Sequence, residues 1–436
     1  FPTRRSSDLI HYADVCSLYP YCLKTKCYPR GHPEIVTSHF DPSLQSYFGI
    51  AKVKILPPRN LYHPVLFYKS GGKLKFPLCR TCADNESQQP CTCSEEQRSM
   101  TGTWCTPELM KALEKGYRLL KIYEVYHFDQ SMQYDPVTKD GGLFTEYVNT
   151  FLKLKQEASS FPDWCQTDED KLLYVNNYEA KEGVKLDLDK IKKNPGLRSL
   201  SKLSLNSFWG KYAEATGKTQ TSFIHDSNID KFYQLLTDPS IDIRDFHILT
   251  DDMVQMEWVH QADFVPDNMH TNIFLATFTT CWARLELYSY LEKLDKNVLY
   301  FDTDSIIYVC RSGEYTPPLG DFLGDLTNEL NPGEHIVEFV SAGPKNFAYH
   351  TNKGIEVVRV RGFTINYQNS KLICFEAIKD LVTGKRSEPI IVTNPSKICR
   401  DKRKRKLYNR VEDKKYKLVY TKRRIVNNYD TEPYGY

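Results

Sequence analysis

Long apolar runs are missing from this sequence. No stretch of about 18 consecutive apolar residues occurs, so no membrane-crossing helix and no membrane partner are expected. Glycine and proline are scarce, at 21 and 23 of 436 residues, which excludes a collagen-like or low-complexity chain. No GxGxxG turn and no phosphate-binding lysine loop is present. The 11 histidines are scattered and make neither a triad nor a metal set. No internal repeat is visible. The opening FPTRRSSDL lacks both an initiator Met and the apolar segment of a signal peptide, and residues 1–9 read as a junction ahead of a truncated start. The 13 cysteines, without a secretory signal, point to a reducing compartment with thiols free or metal-bound.

What remains is ordinary globular material: 41% hydrophobic and 26% charged residues. At roughly 100–200 residues per domain the length allows two to four lobes. The net charge of +3 hides an asymmetry. Residues 400–436 carry 13 Lys/Arg against 5 Asp/Glu, while the rest of the chain is slightly acidic. A charge run alone reads as a solvated face. Interleaved tyrosines in KKYKLVYTKRR (414–424) favour a polyanionic partner such as nucleic acid.

Local signals give a coarse layout. Residues 10–19 read as a strand turning sharply at Pro20. Thr106 and Pro107 read as cap and first position of a helix ending at Gly116. Residues 117–128 read as a strand, and 144–158 as a helix. Asn194-Pro195 starts another helix running through about residue 213. Residues 214–270 read as loop-rich, 272–294 as a long helix and 298–309 as a β-hairpin. After 340, strands alternate with turns.

Three constellations carry chemistry. YFDTDSIIY (300–308) places Asp302 and Asp304 at the tip of the hairpin, where adjacent carboxylates repel unless a divalent cation relieves them; the bland alternative is a polar turn. YADVCSLYP (12–20) interrupts an apolar strand with Asp14, and a strand disfavours Asp unless it has a task. Together these would converge three carboxylates, the arrangement for two-metal phosphoryl transfer. RSLSKLSLNSFWGKY (198–212) sets Arg198, Lys202, Asn206 and Trp209 on one helical stripe, suited to a triphosphate and a base. Its alternative is a solvated stripe, with Leu197, Leu200, Leu203 and Phe208 as the core side.

DVCSLYP, KLSLNSFWG and YFDTDS, in this order, resemble the three polymerase motifs of family B DNA polymerases. The resemblance runs from about residue 10 through nearly the whole chain. It is closest to the protein-primed branch, and within it to polymerases of Polinton (Maverick) elements and related viruses. YFGIAKVKILPPRNLYHPVL, FPLCRTC, TGTWCTPELMKALEKGY, NPGLRS, GPKNFAY and the closing PYGY support it. It implies an α+β right-hand polymerase with an antiparallel palm sheet, helical fingers, a small thumb and two inserted lobes. The corresponding spans are palm 10–30 and 271–380, a first insertion 31–143, fingers 144–213, a second insertion 214–270 and thumb 381–436.

The resemblance also implies roles. Asp14 and Asp304 would hold two Mg²⁺ ions (Mn²⁺ substituting), with the Val15 carbonyl completing a shell and Asp302 supporting. Ser17 and Leu18 would offer backbone amides to the triphosphate, and Tyr19 would exclude a 2′-hydroxyl. Lys155, Arg198 and Lys202 would bind the triphosphate of the incoming dNTP. Asn206 and Trp209 would line the nucleotide pocket, and Thr303 and Lys345 would contact primer–template DNA. A terminal protein would prime initiation, the first insertion touching it and the second encircling the template. The usual 3′–5′ exonuclease domain is expected to be absent from this piece. Two positions depart from the family pattern: Trp209 replaces a tyrosine, and Lys345-Asn346-Phe347 lacks the hydroxyl of a Lys-x-Tyr signature, with Tyr349 no obvious substitute.

Cys79-x2-Cys82-x8-Cys91-x-Cys93 would close a structural tetrahedral Zn²⁺ site, or else be four free thiols. Thr250-Asp251-Asp252-Met253 reads as a loop, and Asp187-x-Asp189 as capping. Two rival readings of the whole remain: an inactive nucleic-acid-binding relic of a mobile element, and a polymerase copying RNA.

Overall fold

The computed structural model describes residues 9–264, 270–401, 404–426 and 430–436. The junction reading of residues 1–9 therefore lies outside them, Leu9 excepted.

A seven-stranded sheet forms the centre. Its order is Val298–Asp302, Ser305–Cys310, Leu9–Val15, Ile336–Gly343, Asn346–Thr351 and Glu356–Val360, with Leu326–Asn328 also pairing Leu9–Val15. Strand alternation divides its side chains between two cores. Ala13, Val15, Ile306 and Tyr308 pack on one face against Ala283, Leu287 and Leu291 of the long helix Ile273–Leu294. Ile10 and Ile307 pack on the other with Ile336, Phe339 and Phe347. Burying each of the larger aliphatic side chains contributes roughly 1.5–3 kcal/mol, so the register of the central strand is strongly held.

The strand expected over 10–19 is shorter. It ends at Val15, Ser17 adopts a left-handed conformation (φ 52°, ψ 57°), and a helix, Leu18–Thr25, begins. Pro20 lies in that helix's first turn, where the missing N–H costs nothing. The proline thus sits inside the start of a helix and does not end the strand.

Three helices, Thr145–Glu157, Asp168–Glu182 and Pro195–Tyr212, surround a core of Leu23, Tyr28, Val148, Leu152, Val175 and Leu205. Asn194 caps the last of them, its side chain accepting from the Leu197 amide at 3.1 Å. The core side that went with the solvated-stripe alternative fails for three residues: Leu197, Leu200 and Leu203 are exposed, the last two by about 60%. The buried edge is instead Ser201, Leu205, Phe208 and Tyr212. Apolar residues occur all round this helix, and the neighbouring helices select which side is covered.

The region after strand Leu9–Val15 forms a four-stranded sheet, ordered Glu34–Val36, Arg118–His127, Gly49–Leu56, Met100–Cys105. Gly49 is obligatory: a Cβ there would lie 1.8 Å from the Tyr126 carbonyl oxygen. Helix Thr106–Glu114 is preceded by Cys105, so Thr106 is its first residue and not its cap. The Thr106 hydroxyl instead accepts from the Gly49 amide at 3.1 Å, tying helix to sheet.

Residues 214–270 are more regular than the loop expected. They form a three-stranded antiparallel sheet, Gln220–His225, Met253–His260 and Ile241–Thr250, with a helix, Ile229–Thr237. Phe223, Phe246 and Ile248 are exposed. With so few positions buried, hydrophobic alternation was weak. Beyond residue 360, helices Tyr367–Leu372 and Phe375–Val382 interrupt the expected strands. A long hairpin follows, Ile390–Asp401 with Lys406–Tyr416, and its tip residue Arg405 bonds Gln255 in the three-stranded sheet. The chain then returns to the four-stranded region, where the Leu78 amide donates to the Tyr434 carbonyl at 2.7 Å. Among the described residues no helix is long and apolar enough to cross a membrane.

Candidate active site

Register brings the acidic residues together. Asp14 faces Ser305, one residue past the hairpin tip, and the Val15 amide donates to the Asp304 carbonyl at 2.7 Å. The tip is tight: Thr303 has φ 55°, and the Asp304 amide donates back to the Asp302 carbonyl. Burial, then the charges of Asp304 and Glu329, push the Asp14 carboxyl up to about 7, with Lys202 opposing. Asp304 is also raised, by burial first and by Asp302 next among the charges.

Asp302 behaves differently. Its carboxylate pairs with the Lys345 ammonium and accepts from the Thr303 hydroxyl at 3.2 Å. Among the described residues the three aspartates do not form a compact three-ligand group. The geometry is a half-buried pair, Asp14 and Asp304, beside a third carboxylate that Lys345 neutralises. Lys345 is itself held by its amide, which donates to the Tyr300 hydroxyl at 2.9 Å. Phe347, where the family pattern has a hydroxyl, is buried against Tyr12, Tyr300 and Phe339. Tyr349 is buried beside it.

Cations gather on the opposite side. Lys155 comes from helix Thr145–Glu157, and Arg198 and Lys202 from Pro195–Tyr212. Burial, opposed by Cys16, and repulsion from Arg198 and Lys202 together lower the Lys155 ammonium. Arg198 is steadied by the Ser159 hydroxyl at 3.0 Å. Among the described residues, no carboxylate lies within 4 Å of any of the three. Helix Leu18–Thr25 begins beside Cys16 with no side-chain cap, leaving the amides at Ser17 and Leu18 as an anion-favouring end. Tyr19 stacks on Trp209, with ring centroids 4.6 Å apart and planes 24° apart. Asn206 is exposed on the same helix, one turn before Trp209.

The placement of two residues here is not readable from the sequence. Glu329 is an isolated acid in DLTNELNPGE, brought near Asp14 because its amide donates to the Tyr12 carbonyl. Lys422 belongs to the basic run; its ammonium, lowered first by burial, sits among the charges of Asp302, Lys345 and Arg361. The Thr250–Met253 turn lies apart: Asp252 accepts from the Thr250 hydroxyl and pairs with His225. Asp187 caps the short 3-10 turn Leu188–Lys190, as expected.

Away from this cleft, the sulfurs of Cys79, Cys82, Cys91 and Cys93 lie within 4.8 Å of one another, Cys82 and Cys93 at 3.9 Å. Burial pushes the Cys79 thiol up to about 11 and Cys82 higher still. Cys91 is lowered, because hydrogen bonds from the Cys93 amide and neighbouring thiols outweigh its burial. A second group, Cys105, Glu108 and Cys281, joins residues far apart in the chain; Glu108 pairs with Arg284 at 2.6 Å.

The model of the family described as DNA polymerase type B, organellar and viral, matches residues 2–297. No curated protein matches the chain. Among solved structures, phi29 DNA polymerase complexed with primer-template DNA and incoming nucleotide substrates matches with a TM-score of 0.55 and 13% identity, over 94% of this chain and 58% of that one. Phi29 DNA polymerase complexed with single-stranded DNA matches with a TM-score of 0.54 and 13% identity, over 90% and 55%. This likeness bears out the expected α+β right-hand polymerase fold. The chain spans a little over half the length of the phi29 polymerase chains.

Proposed function

The chain belongs to the type B DNA polymerases of organelles and viruses, and from that premise we propose that it is a DNA-directed DNA polymerase of the protein-primed branch. It adds dNMP units to a primer 3′-hydroxyl, or at initiation to a hydroxyl of a terminal protein, in replicating a Polinton-type mobile element or viral genome. One observation carries this reading: an acidic pair and three cations, with no carboxylate within 4 Å of any of the three among the described residues, flank one aromatic stack.

Asp14 and Asp304 fit a hard divalent cation. Both are half-buried, neighbouring carboxylates raise both (Asp304 acts on Asp14, and Asp302 on Asp304), and one or two carboxylates plus substrate phosphates are what Mg²⁺ ordinarily takes. Two Mg²⁺ (or Mn²⁺) ions at Asp14, the Val15 carbonyl and Asp304 would supply Lewis-acid activation of the hydroxyl and charge for the triphosphate. The chain's own residues position the reactants. Lys155, Arg198 and Lys202 hold the triphosphate, assisted by the Ser17 and Leu18 amides. Tyr19 lies under the sugar and excludes a 2′-hydroxyl, while Trp209 and Asn206 line the base. Asp302 orients Lys345, which with Thr303 meets the primer–template strand. In-line geometry and fixed charge then carry the transfer, with pyrophosphate leaving.

The lobes take matching roles: palm at 10–30 and 271–380, fingers at 144–213, thumb at 381–436, and insertions at 31–143 and 214–270. The Arg405–Gln255 contact supports an encircling role for the second insertion, since it joins thumb hairpin to insertion sheet. A structural Zn²⁺ at the four cysteines completes the proposal.

Primer extension with dNTPs and Mg²⁺ tests it. Asp304→Ala is expected to abolish incorporation while duplex binding survives; extension near the wild-type rate overturns the assignment. Strict dependence on oligonucleotide primers, with a cognate terminal protein present, overturns protein priming alone.

A further inference from the structure

The end of the chain is seated on the cysteine cluster. Tyr434 is fully buried in a small core with Cys79, Cys82 and Ala83, flanked by Tyr68, Cys91 and Cys93. Its carbonyl accepts from the Leu78 amide at 2.7 Å, and Lys75 lies over its ring at 5.4 Å. Gly435 has φ 93°, and a Cβ there would lie 2.5 Å from Cys79 Cβ and 2.6 Å from the Cys79 nitrogen. The approach is anchored too. Arg423 donates to the Tyr62 and Thr431 carbonyls, Arg424 pairs with Glu432, and the Ile425 amide donates to Gln88.

In the seat itself, side-chain contacts hold the first cysteine pair, with Lys75 donating to the Ala83 carbonyl at 2.6 Å and Thr81 to the Gln97 carbonyl at 2.9 Å, but the elements around the cysteines are short. Helices Arg80–Asp84 and Glu95–Arg98 have five and four residues, far too few to be stable alone. Its core holds only four buried residues. Arg59 donates to the Cys91 and Cys93 carbonyls at 3.4 Å, a weak restraint on the second cysteine pair. A tetrahedral cross-link between the two pairs would fix the backbone that Gly435 and Tyr434 fit against.

We infer that one thiolate-bound Zn²⁺ at Cys79, Cys82, Cys91 and Cys93 forms the docking seat for residues 433–436, so that metal occupancy and docking of the C-terminal segment are coupled. This deepens the structural-zinc reading above and is independent of the polymerase reading. The coupling ties the end of the thumb to the first insertion. Any ligand that strips the metal would release that tie, and any residue larger than glycine at 435 would release it with the metal still bound.

The test uses the full chain, metal analysis and hydrogen–deuterium exchange, none of which depends on incorporation. Wild type is expected to hold about one equivalent of zinc. Chelation should speed exchange of residues 430–436 and the Leu78 amide by about tenfold or more, and Zn²⁺ alone should restore protection. Gly435→Ala should keep the full zinc equivalent yet exchange as the stripped protein does, which separates seat from ligand set without a cysteine substitution that could prevent folding. Zinc below about half an equivalent overturns the proposal. So does unchanged exchange on stripping, or a Gly435→Ala tail as protected as wild type.

Discussion

The Asp14–Asp304 cleft and the Cys79–Cys93 seat gather like groups for opposite ends. In the cleft, two carboxylates lie half-buried, and three cations have no carboxylate within 4 Å among the described residues. The seat is covered on one side: Cys79 and Cys82 are buried against Tyr434 and Gly435, while Cys91 and Cys93 are half-buried. Elsewhere the protein compensates its buried charge, as with Lys24 and Glu182 at 3.2 Å. A half-buried cluster of charges without close ion-pair partners is prepared for a ligand that arrives and leaves. A covered one is prepared for a ligand that stays. Changes in the cleft should therefore move catalysis with little effect on stability, and changes around the buried regions should do the reverse.

The largest stability effect belongs to the core beneath the cleft. Leu205→Ala removes a fully buried side chain between helices and should cost about 2–5 kcal/mol in chemical denaturation. A loss under about 1 kcal/mol would show that this edge is not the packed one. Acid should act next. Burial lowers His63 to about 4; its ring bonds the Asp295 carbonyl at 2.9 Å, with Arg423, Tyr62 and Tyr288 around it. The unfolded histidine takes a proton near pH 6.5, the folded one only near 4, so stability falls as pH drops through that window, by roughly 3 kcal/mol at its lower end. His63→Gln should flatten this part of the pH–stability profile; an unchanged slope contradicts the assignment.

In the cleft, Lys202→Ala should raise the KM for dNTP by roughly 10–100-fold while the unfolding midpoint holds, as expected for loss of a charge-assisted phosphate contact. A stability loss with KM intact would reverse the comparison. The smallest effect is expected at Leu203→Gln. Its side chain is about 60% exposed, and denaturation should shift by no more than about 0.5 kcal/mol.

Legibility in the sequence followed the range of the forces involved. The hairpin at 298–309, the Asn194 cap and the long helix after 272 rest on neighbouring residues and were readable. The cysteine spacing announced a group that the fold gathers within 4.8 Å. The covered side of Pro195–Tyr212 was not readable, because leucines occur on both sides and only neighbouring helices decide. The sheet in 214–270 was obscured because its exposed Phe223, Phe246 and Ile248 blur the alternation. Glu329, Lys422 and the seating of Tyr434 depend on contacts between distant segments that no local pattern encodes.

The central claim is that strand register and helix stripe assemble one nucleotidyl-transfer site around Asp14. Single-turnover incorporation of one dNTP on primed DNA with Mg²⁺ tests it most directly, comparing wild type with Asp14→Asn. The expected result is a rate loss beyond about a thousandfold, roughly 4 kcal/mol of transition-state stabilisation, with DNA affinity changed less than about threefold. An Asp14→Asn rate within about tenfold of wild type would contradict it.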